Sequence, residues 1–323
     1  MSVEEELAWL SPKKETLLTI GVFDGVHLGH KYLLSQLTKQ AREQNLISGV
    51  VTFRQHPQKL LSPQTNPPYL TSLAQRIKLI KDEGVEAIIT LSFTLEIAQT
   101  SAHQFVSLLK KHLRMRGLVL GPDFALGQNR EGNINTLCAL GQSMNFGVTV
   151  VPPAKINGEV ISSTAIRNAL ARGDMKRVHD MTGRYFSFDG YVITGSGRGA
   201  KLGFPTANLD IDPEQALPAD GIYATRTYID DQAHRSVTNI GKRPTFGGTE
   251  QTVEVYILDY HGDLYQRQLK IDIIERLRNE KKFNTTEELK RQIAEDIKQA
   301  KAILNRLRAE TRYGYGENDK SGY

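Results

Sequence analysis

Apolar positions in the first half of the chain alternate between short runs and helical spacing. Residues 16–22 (TLLTIGV) form a short apolar run that predicts a buried strand. From His30 onward, Leu33, Leu34, Leu37 and Ala41 recur at helical intervals. The strand pattern returns at 49–53, 87–91, 118–120 and 147–151. Helical periodicity fills 72–83, 102–113 and 134–145, with Leu73, Ile77 and Ile80 on one face of the first. Strands separated by helices of this length predict βαβ units and a parallel sheet. Two further helices, 164–171 and 175–180, close this half.

The pattern changes after Thr182-Gly183. Short strands follow without intervening helices, at 185–194, 221–229, 235–240, 252–259 and 268–277. Such spacing predicts a sandwich or a small barrel. One long helix ends the pattern: Thr285 and Glu288 form a capping box, and Leu289, Ile293, Ile297, Ala300 and Leu304 follow at helical spacing. Residues 313–323 are polar and glycine-rich, which predicts a disordered tail.

Composition narrows this picture little. With 39% hydrophobic and 24% charged residues among 323, the chain is an ordinary globular one, long enough for two domains. Its 41 basic and 36 acidic residues leave +5, too small and too evenly spread a surplus to call for nucleic acid. A single cysteine, Cys138, excludes an intrachain disulfide and points to a reducing, cytoplasmic compartment. The opening residues MSVEEELAWL lack the basic start and apolar run of a signal peptide, and no run is long enough to span a membrane. The oligomeric state stays open.

Residues 21–30 read GVFDGVHLGH. A strand ends, glycines permit tight backbone and a helix begins, and helix starts present N–H groups suited to phosphate. His27 and His30 lie three apart and share a face there. Two imidazoles so placed suit a phosphate that gains charge during displacement, though a metal pair is also compatible. In 161–167 (ISSTAIR), Ser162, Ser163 and Thr164 are helix caps and Arg167 follows on the same face, which suits an anion.

Residues 195–208 read GSGRGAKLGFPTAN, a cationic, glycine-rich loop able to wrap polyphosphate. Thr206 and Asn208 point the same way in an extended chain and are hard neutral donors suited to Mg²⁺. In 252–259 (TVEVYILD), Glu254 alternates with Val253 and Val255, and a carboxylate there suits an acceptor for an alcohol proton.

These segments resemble the prokaryotic bifunctional riboflavin kinase/FMN adenylyltransferase family over residues 14–308. GVFDGVHLGH is similar to the HxGH motif of nucleotidyltransferases, GPDFALG (121–127) to the family's GxDFxFG, ISSTAIR to ISSTxIR, and TFRQHP (52–57) to TFxPHP. GRGAKLGFPTANL and NIGKRPTF (239–246) resemble the riboflavin kinase module. The departures are Ala125 and Leu126, where the family has a basic residue and Phe, and Gln55, where it has Pro.

The resemblance implies a Rossmann-like α/β nucleotidyltransferase domain with a parallel sheet (1–183), then a riboflavin kinase-like antiparallel β-barrel with a long C-terminal helix (184–312). It implies riboflavin, FMN and ATP as substrates and Mg²⁺ with ATP, without nucleic acid or membrane. Glu254, His27 and His30 become catalytic residues. Gly21, Phe23, Asp24, Gly25, Asp123, Ser163, Thr164 and Arg167 become the first nucleotide site. Gly197, Arg198, Gly199, Gly203 and Pro205 become the second. Thr206 and Asn208 become metal ligands, and Arg278 and Asn239 flavin contacts. Another HxGH enzyme, such as a cytidylyltransferase, a non-catalytic flavin-binding or regulatory protein, and a single-activity enzyme with one decayed site are the alternatives; the PTAN module argues against the first and the retained site residues against the others.

Overall fold

The structure, a computed structural model, describes residues 2–9, 12–62, 64, 67–195, 197–245 and 248–313. The chain divides into two compact units: Met1–Ala165 with Met181–Gly183, and Ile166–Asp180 with Arg184–Tyr323.

The first unit contains, in order, α1 (Val3–Trp9), β1 (Thr16–Ile20), α2 (Leu28–Glu43), β2 (Ile47–Phe53), α3 (Gln58–Leu61), α4 (Leu73–Asp82), β3 (Ala87–Leu91), α5 (Leu95–Gln99), α6 (Ala102–Leu113), β4 (Met115–Leu120), β5 (Ala125–Leu126), β6 (Gly132–Asn133), α7 (Ile134–Met144), β7 (Gly147–Val150), β8 (Lys155–Ile156) and β9 (Glu159–Val160). The main sheet is parallel throughout, in the order β3-β2-β1-β4-β7. Side-chain alternation sends Leu18, Ile20 and Val51 to one face, against Phe105 and Leu109 of α6. Leu17, Val50 and Val119 face the other, against Leu34 and Leu37 of α2 and Ile80 of α4. Both faces are covered, which is why the strands read as continuous apolar runs. Ser72 and Ser101 cap α4 and α6 in reciprocal capping boxes with Gln75 and Gln104.

The opening helix α1 was not legible in the chain's acidic start. It forms because Leu7 is fully buried, while the carboxylate of buried Glu6 accepts from Ser92 N–H at 2.9 Å and Ser92 Oγ at 2.8 Å.

The helix α8 (Ser163–Arg172) starts at the end of the first unit and α9 (Met175–Thr182) follows. The second unit continues with β10 (Phe186–Ile193), α10 (Arg198–Leu202), β11 (Ala207–Asp210), β12 (Gly221–Ile229), β13 (Gln232–Thr245), β14 (Gly248–Ile257), β15 (Gln268–Arg278) and α11 (Thr286–Tyr313). Six antiparallel strands close a barrel in the order β10-β11-β14-β13-β12-β15, with β10 and β15 paired. Buried residues alternate along them: Val253, Val255 and Ile257 of β14, and Leu269, Ile271 and Ile273 of β15. Thr225, Thr227, Ser236 and Thr238 are fully buried too, and satisfy one another through hydroxyl contacts of 2.7–2.8 Å. Ala300 and Leu304 of α11 pack on Ala224 and Ile274.

The sheet and barrel match the expected architecture, with local differences. The strand β13 extends well beyond 235–240, and β11 adds a strand to the candidates. The glycine-rich loop contains the one-turn helix α10, entered and left through left-handed Gly197 and Gly203 (φ 67° and 90°). At α11, Thr285 Oγ1 accepts from Glu288 N–H at 3.2 Å, but the Glu288 carboxylate reaches back to Asn284 N–H rather than to Thr285. Apart from Tyr313, which ends α11, the predicted disordered tail lies outside the described residues. Among the described residues no helix is long and apolar enough to cross a membrane.

Candidate active sites

The strand order places β1 beside β4, while the chain runs from β1 toward β3 and from β4 toward β7. The carboxyl ends of β1 and β4 therefore flank a topological switch point, where open α/β sheets bind ligands. The segments 21–27 and 121–127 leave those two ends. Gly21 donates its N–H to Val51 O at 3.0 Å. The next turn is tight: Phe23, Gly25 and Val26 have φ of 54°, 81° and 33°.

The underside of this turn is anchored by polar groups. The Asp24 carboxylate accepts from Leu70 N–H at 2.9 Å and Thr71 N–H at 3.0 Å, and Gly25 N–H donates to Thr71 Oγ1 at 3.0 Å. Ser163 Oγ donates to the Asp24 carbonyl at 2.9 Å, bringing the start of α8 to the turn. Arg76, 5% exposed, donates through its two terminal nitrogens to Val22 O at 2.8 Å and Phe53 O at 2.7 Å. Burial lowers the pKa of this guanidinium, and the nearby Asp24 charge opposes that.

His27 is the N-cap of α2: its Nδ1 accepts from His30 N–H at 3.2 Å. An accepting Nδ1 leaves the ring proton on Nε2. The His27 and His30 rings stack at 3.7 Å and 16°, and Phe23 lies 5.1 Å from His30. A Cβ at Gly29 would crowd the His27 ring at 3.1 Å.

The structure thus joins Phe23, Asp24, Gly25, His27, His30 and Ser163 by direct contacts or adjacency. Asp123 lies in the loop after β4 with its side chain exposed, and its carbonyl accepts from Arg130 at 3.2 Å. Thr164 is exposed and Arg167 half-buried in the first turns of α8, whose N-terminal turn is capped by Ser162 through Ala165 N–H. Both departures are accommodated: Leu126 packs on the core, and the Gln55 amide donates to Phe93 O at 3.3 Å.

In the second unit the site is a row of side chains across strands. The register pairs Asn208 of β11 with Glu254 of β14, and Glu254 with Asn239 of β13. Paired residues share a face, and this face opposes the buried Val253 and Val255. Glu254 and Asn239 line a cavity of about 590 Å³ with Thr206, Arg198, Gly199 and Arg278. Its apolar wall comes from Phe204 and Tyr256, whose rings meet edge-on at 5.8 Å, and from Leu289, Ile293 and Ile297 of α11. A second cavity of about 610 Å³ holds Asn208 with Gly195. The segment Thr206–Asn208 therefore borders both. A Cβ at Gly199 would crowd the Thr206 hydroxyl at 3.0 Å, and one at Gly195 would overlap the Asn208 amide. Glycine keeps the space beside both donors open, and two neutral oxygen donors fit a divalent cation that already carries phosphate. Gly203 and Pro205 flank Phe204 on the approach to β11.

Arg278 lines the first cavity, but its guanidinium is bound twice by Asp296 of α11, at 2.8 and 2.7 Å. Gln292 donates to the same carboxylate at 3.0 Å. Asp296 is 3% exposed, so this is a desolvated, geometrically complete pair. Glu280, which follows β15, lines the same cavity. Burial and the charge of Asp220 push its carboxyl above the ordinary 4.5.

Arg76, Asp296 and Glu280 were missed by sequence reasoning. Arg76 and Asp296 carried a signal: each is a charge inside an apolar helical stripe, between Leu73 and Ile80 and between Ile293 and Ala300.

Comparison with known proteins matches these two units to two families. A family model for FAD synthetase matches residues 10–165, and one for riboflavin kinase matches residues 182–304. A bifunctional riboflavin kinase/FMN adenylyltransferase of Escherichia coli is 37% identical over 88% of this chain and 92% of its own. The one from Haemophilus influenzae is 35% identical over 89% and 94%. A crystal structure of a protein named macrolide-efflux protein, from Streptococcus pneumoniae, superposes with a TM-score of 0.84 at 30% identity, covering 90% of this chain and 95% of that one.

Proposed function

The chain belongs to the bifunctional riboflavin kinase/FMN adenylyltransferase family, and from that premise we propose which of its residues carry each reaction. It phosphorylates riboflavin to FMN with ATP, and adenylylates FMN to FAD with a second ATP, releasing pyrophosphate. We divide the work at residue 183: residues 1–183 transfer the adenylyl group and 184–312 the phosphoryl group. The family matches to residues 10–165 and 182–304 support two halves, while Ile166–Asp180 cluster with the second compact unit.

In phosphoryl transfer, Glu254 takes the proton of the ribityl 5′-hydroxyl as that oxygen attacks the γ-phosphorus. The bond from this phosphorus to the bridging oxygen breaks, and ADP leaves. Thr206 and Asn208 would hold Mg²⁺, which supplies charge neutralisation on the phosphates. Gly197, Arg198, Gly199, Gly203 and Pro205 cover the phosphates, while Asn239 and Arg278 face the flavin. Because Asp296 neutralises Arg278, that guanidinium serves as an oriented donor more than as a counter-charge. The observation that supports this half best is the pair Glu254 and Asn239, opposite each other on adjacent strands and lining with Thr206 a cavity of ligand size.

In adenylyl transfer, an FMN phosphate oxygen attacks the α-phosphorus of ATP. The bond to the pyrophosphate oxygen breaks, while His27 and His30 donate to the charge that gathers on the α-phosphate. The His27 tautomer supports this role, since its proton sits on Nε2. Ser163, Thr164 and Arg167 hold the pyrophosphate. Gly21, Phe23, Gly25 and Asp123 line the nucleotide, and Asp24 contributes by fixing the turn. The single cysteine supports a cytoplasmic location.

The test is one incubation with riboflavin, ATP and Mg²⁺, with flavins separated over time. FMN appears first and FAD follows. Glu254→Gln abolishes FMN formation but spares FAD made from supplied FMN, and His27→Ala does the reverse. FMN without FAD would remove the adenylyl assignment from the first unit. No conversion with any divalent metal, or with reduced flavin, would overturn the assignment of both sites.

A further inference from the structure

Glu280 follows β15 and lays its carboxylate against Gly241 of β13, where any Cβ would overlap it. The Asn239 amide favours the charged form of the same carboxylate. An ionised carboxylate only accepts, so the Asn239 NH₂ must face Glu280 and its Oδ1 must face away. That oxygen is buried and meets no protein donor. Asn239 lines the cavity that holds Glu254, and stands directly opposite Glu254 on the neighbouring strand. Side chains so paired start from Cβ atoms roughly 5 Å apart, a span that suits two adjacent hydroxyls of one polyol chain. A buried acceptor without a protein donor is costly, and in a cavity of ligand size a substrate hydroxyl can supply the donor in place of water.

We infer that Asn239 Oδ1 accepts a hydrogen bond from the ribityl 4′-hydroxyl, next to the reacting 5′-hydroxyl, and that Glu280 is a positioning residue that locks the Asn239 amide in its accepting orientation. The inference rests on the reading that Glu254 receives the 5′-hydroxyl proton. Glu280 holds this position against the negative charges of Asp220 and Glu254, with Arg278 as the facing cation. Glutamine at 280 would both donate and accept, so the amide of Asn239 would lose its single orientation. The contact explains why 239–241 reads Asn-Ile-Gly: the amide needs the carboxylate, and the carboxylate needs the missing side chain at 241.

The test compares kcat/KM for riboflavin and 4′-deoxyriboflavin in the full chain and in Asn239→Ala, Glu280→Gln and Glu254→Gln. The unaltered chain loses about 10- to 100-fold on the analogue, the range for leaving a buried polar group unpaired. Asn239→Ala loses a similar factor with riboflavin and nothing further with the analogue. Glu280→Gln falls between the two, and melts no lower than the unaltered chain at neutral pH, because it removes a crowded charge. A merely structural Glu280 would lower melting and activity together, and that result overturns the positioning role. Fully additive losses in Asn239→Ala and the analogue overturn the hydroxyl contact. Should Asn239→Ala fail to fold, Asn239→Ser carries the same comparison. Glu254→Gln separates the premise from the inference. Retained phosphoryl transfer in that variant overturns the base assignment; abolished transfer with additive losses overturns the hydroxyl contact alone.

Discussion

On the assignment proposed above, the two units solve phosphate chemistry in opposite ways. The first builds its site from one contiguous turn and a helix start, where backbone N–H groups and stacked imidazoles converge within residues 21–30. The second builds its site from side chains on strands distant in sequence, aligned by barrel register. The first depends on what anchors the turn from beneath, namely Asp24 and Arg76. The second depends on which side chains share one row. A contiguous site therefore fails when its support is removed, and a dispersed one fails residue by residue.

The sharpest test of this contrast is the reciprocal pair His27→Ala and Glu254→Gln. Each should lower its own reaction by roughly 10²- to 10⁴-fold, measured by separating FMN from FAD. Loss of both reactions in either variant would break the division. Next in size, Arg76→Met removes a buried cation that binds the ends of β1 and β2. It should destabilise the first unit by about 3–5 kcal/mol, seen as a lower first melting transition with phosphoryl transfer retained. Asp296→Asn keeps the shape but uncouples Arg278 from a full charge. It should cost about 1–3 kcal/mol and raise KM for riboflavin more than it lowers kcat.

The smallest effect is on pH dependence. Burial and then the charge of Asp220 raise the Glu280 carboxyl above 4.5. The folded chain thus binds this proton more tightly than the unfolded chain. The resulting stability is complete below about pH 4.5 and is lost as pH rises through the raised value. Glu280→Gln lacks that loss, so its melting temperature relative to the unaltered chain should climb between about pH 4.5 and 7. A constant difference would mean that Glu280 titrates as an ordinary solvated carboxylate.

Much of the fold was legible because strand and helix periods are local. The strand 87–91 and the helix 102–113 occupy the residues their patterns predict. The glycine-rich loop was harder: its composition reads as flexible, yet left-handed glycines at both ends let 198–202 close a helical turn. The opening helix was hidden because Glu6 reads as a solvated charge until Ser92, the residue after β3, arrives to bind it. Arg76 and Asp296 were visible as charges within apolar stripes, but their partners Val22, Phe53 and Arg278 lie on other elements, and no local rule names them. Glu280 carried no signal, because its meaning depends on a glycine one strand away.

The sequence by itself determined the two architectures, their order, and the segments that hold the histidines, the PTAN donors and Glu254. Periodicity and turn chemistry act over a few residues, and the motifs are contiguous. Only the tertiary structure decided which face Asn239 shares with Glu254, which charge restrains Arg278 and what supports the histidine turn. Those are contacts between strands and helices far apart in the chain. They exist only once packing has excluded water and made an unpartnered polar group costly enough to fix its partner.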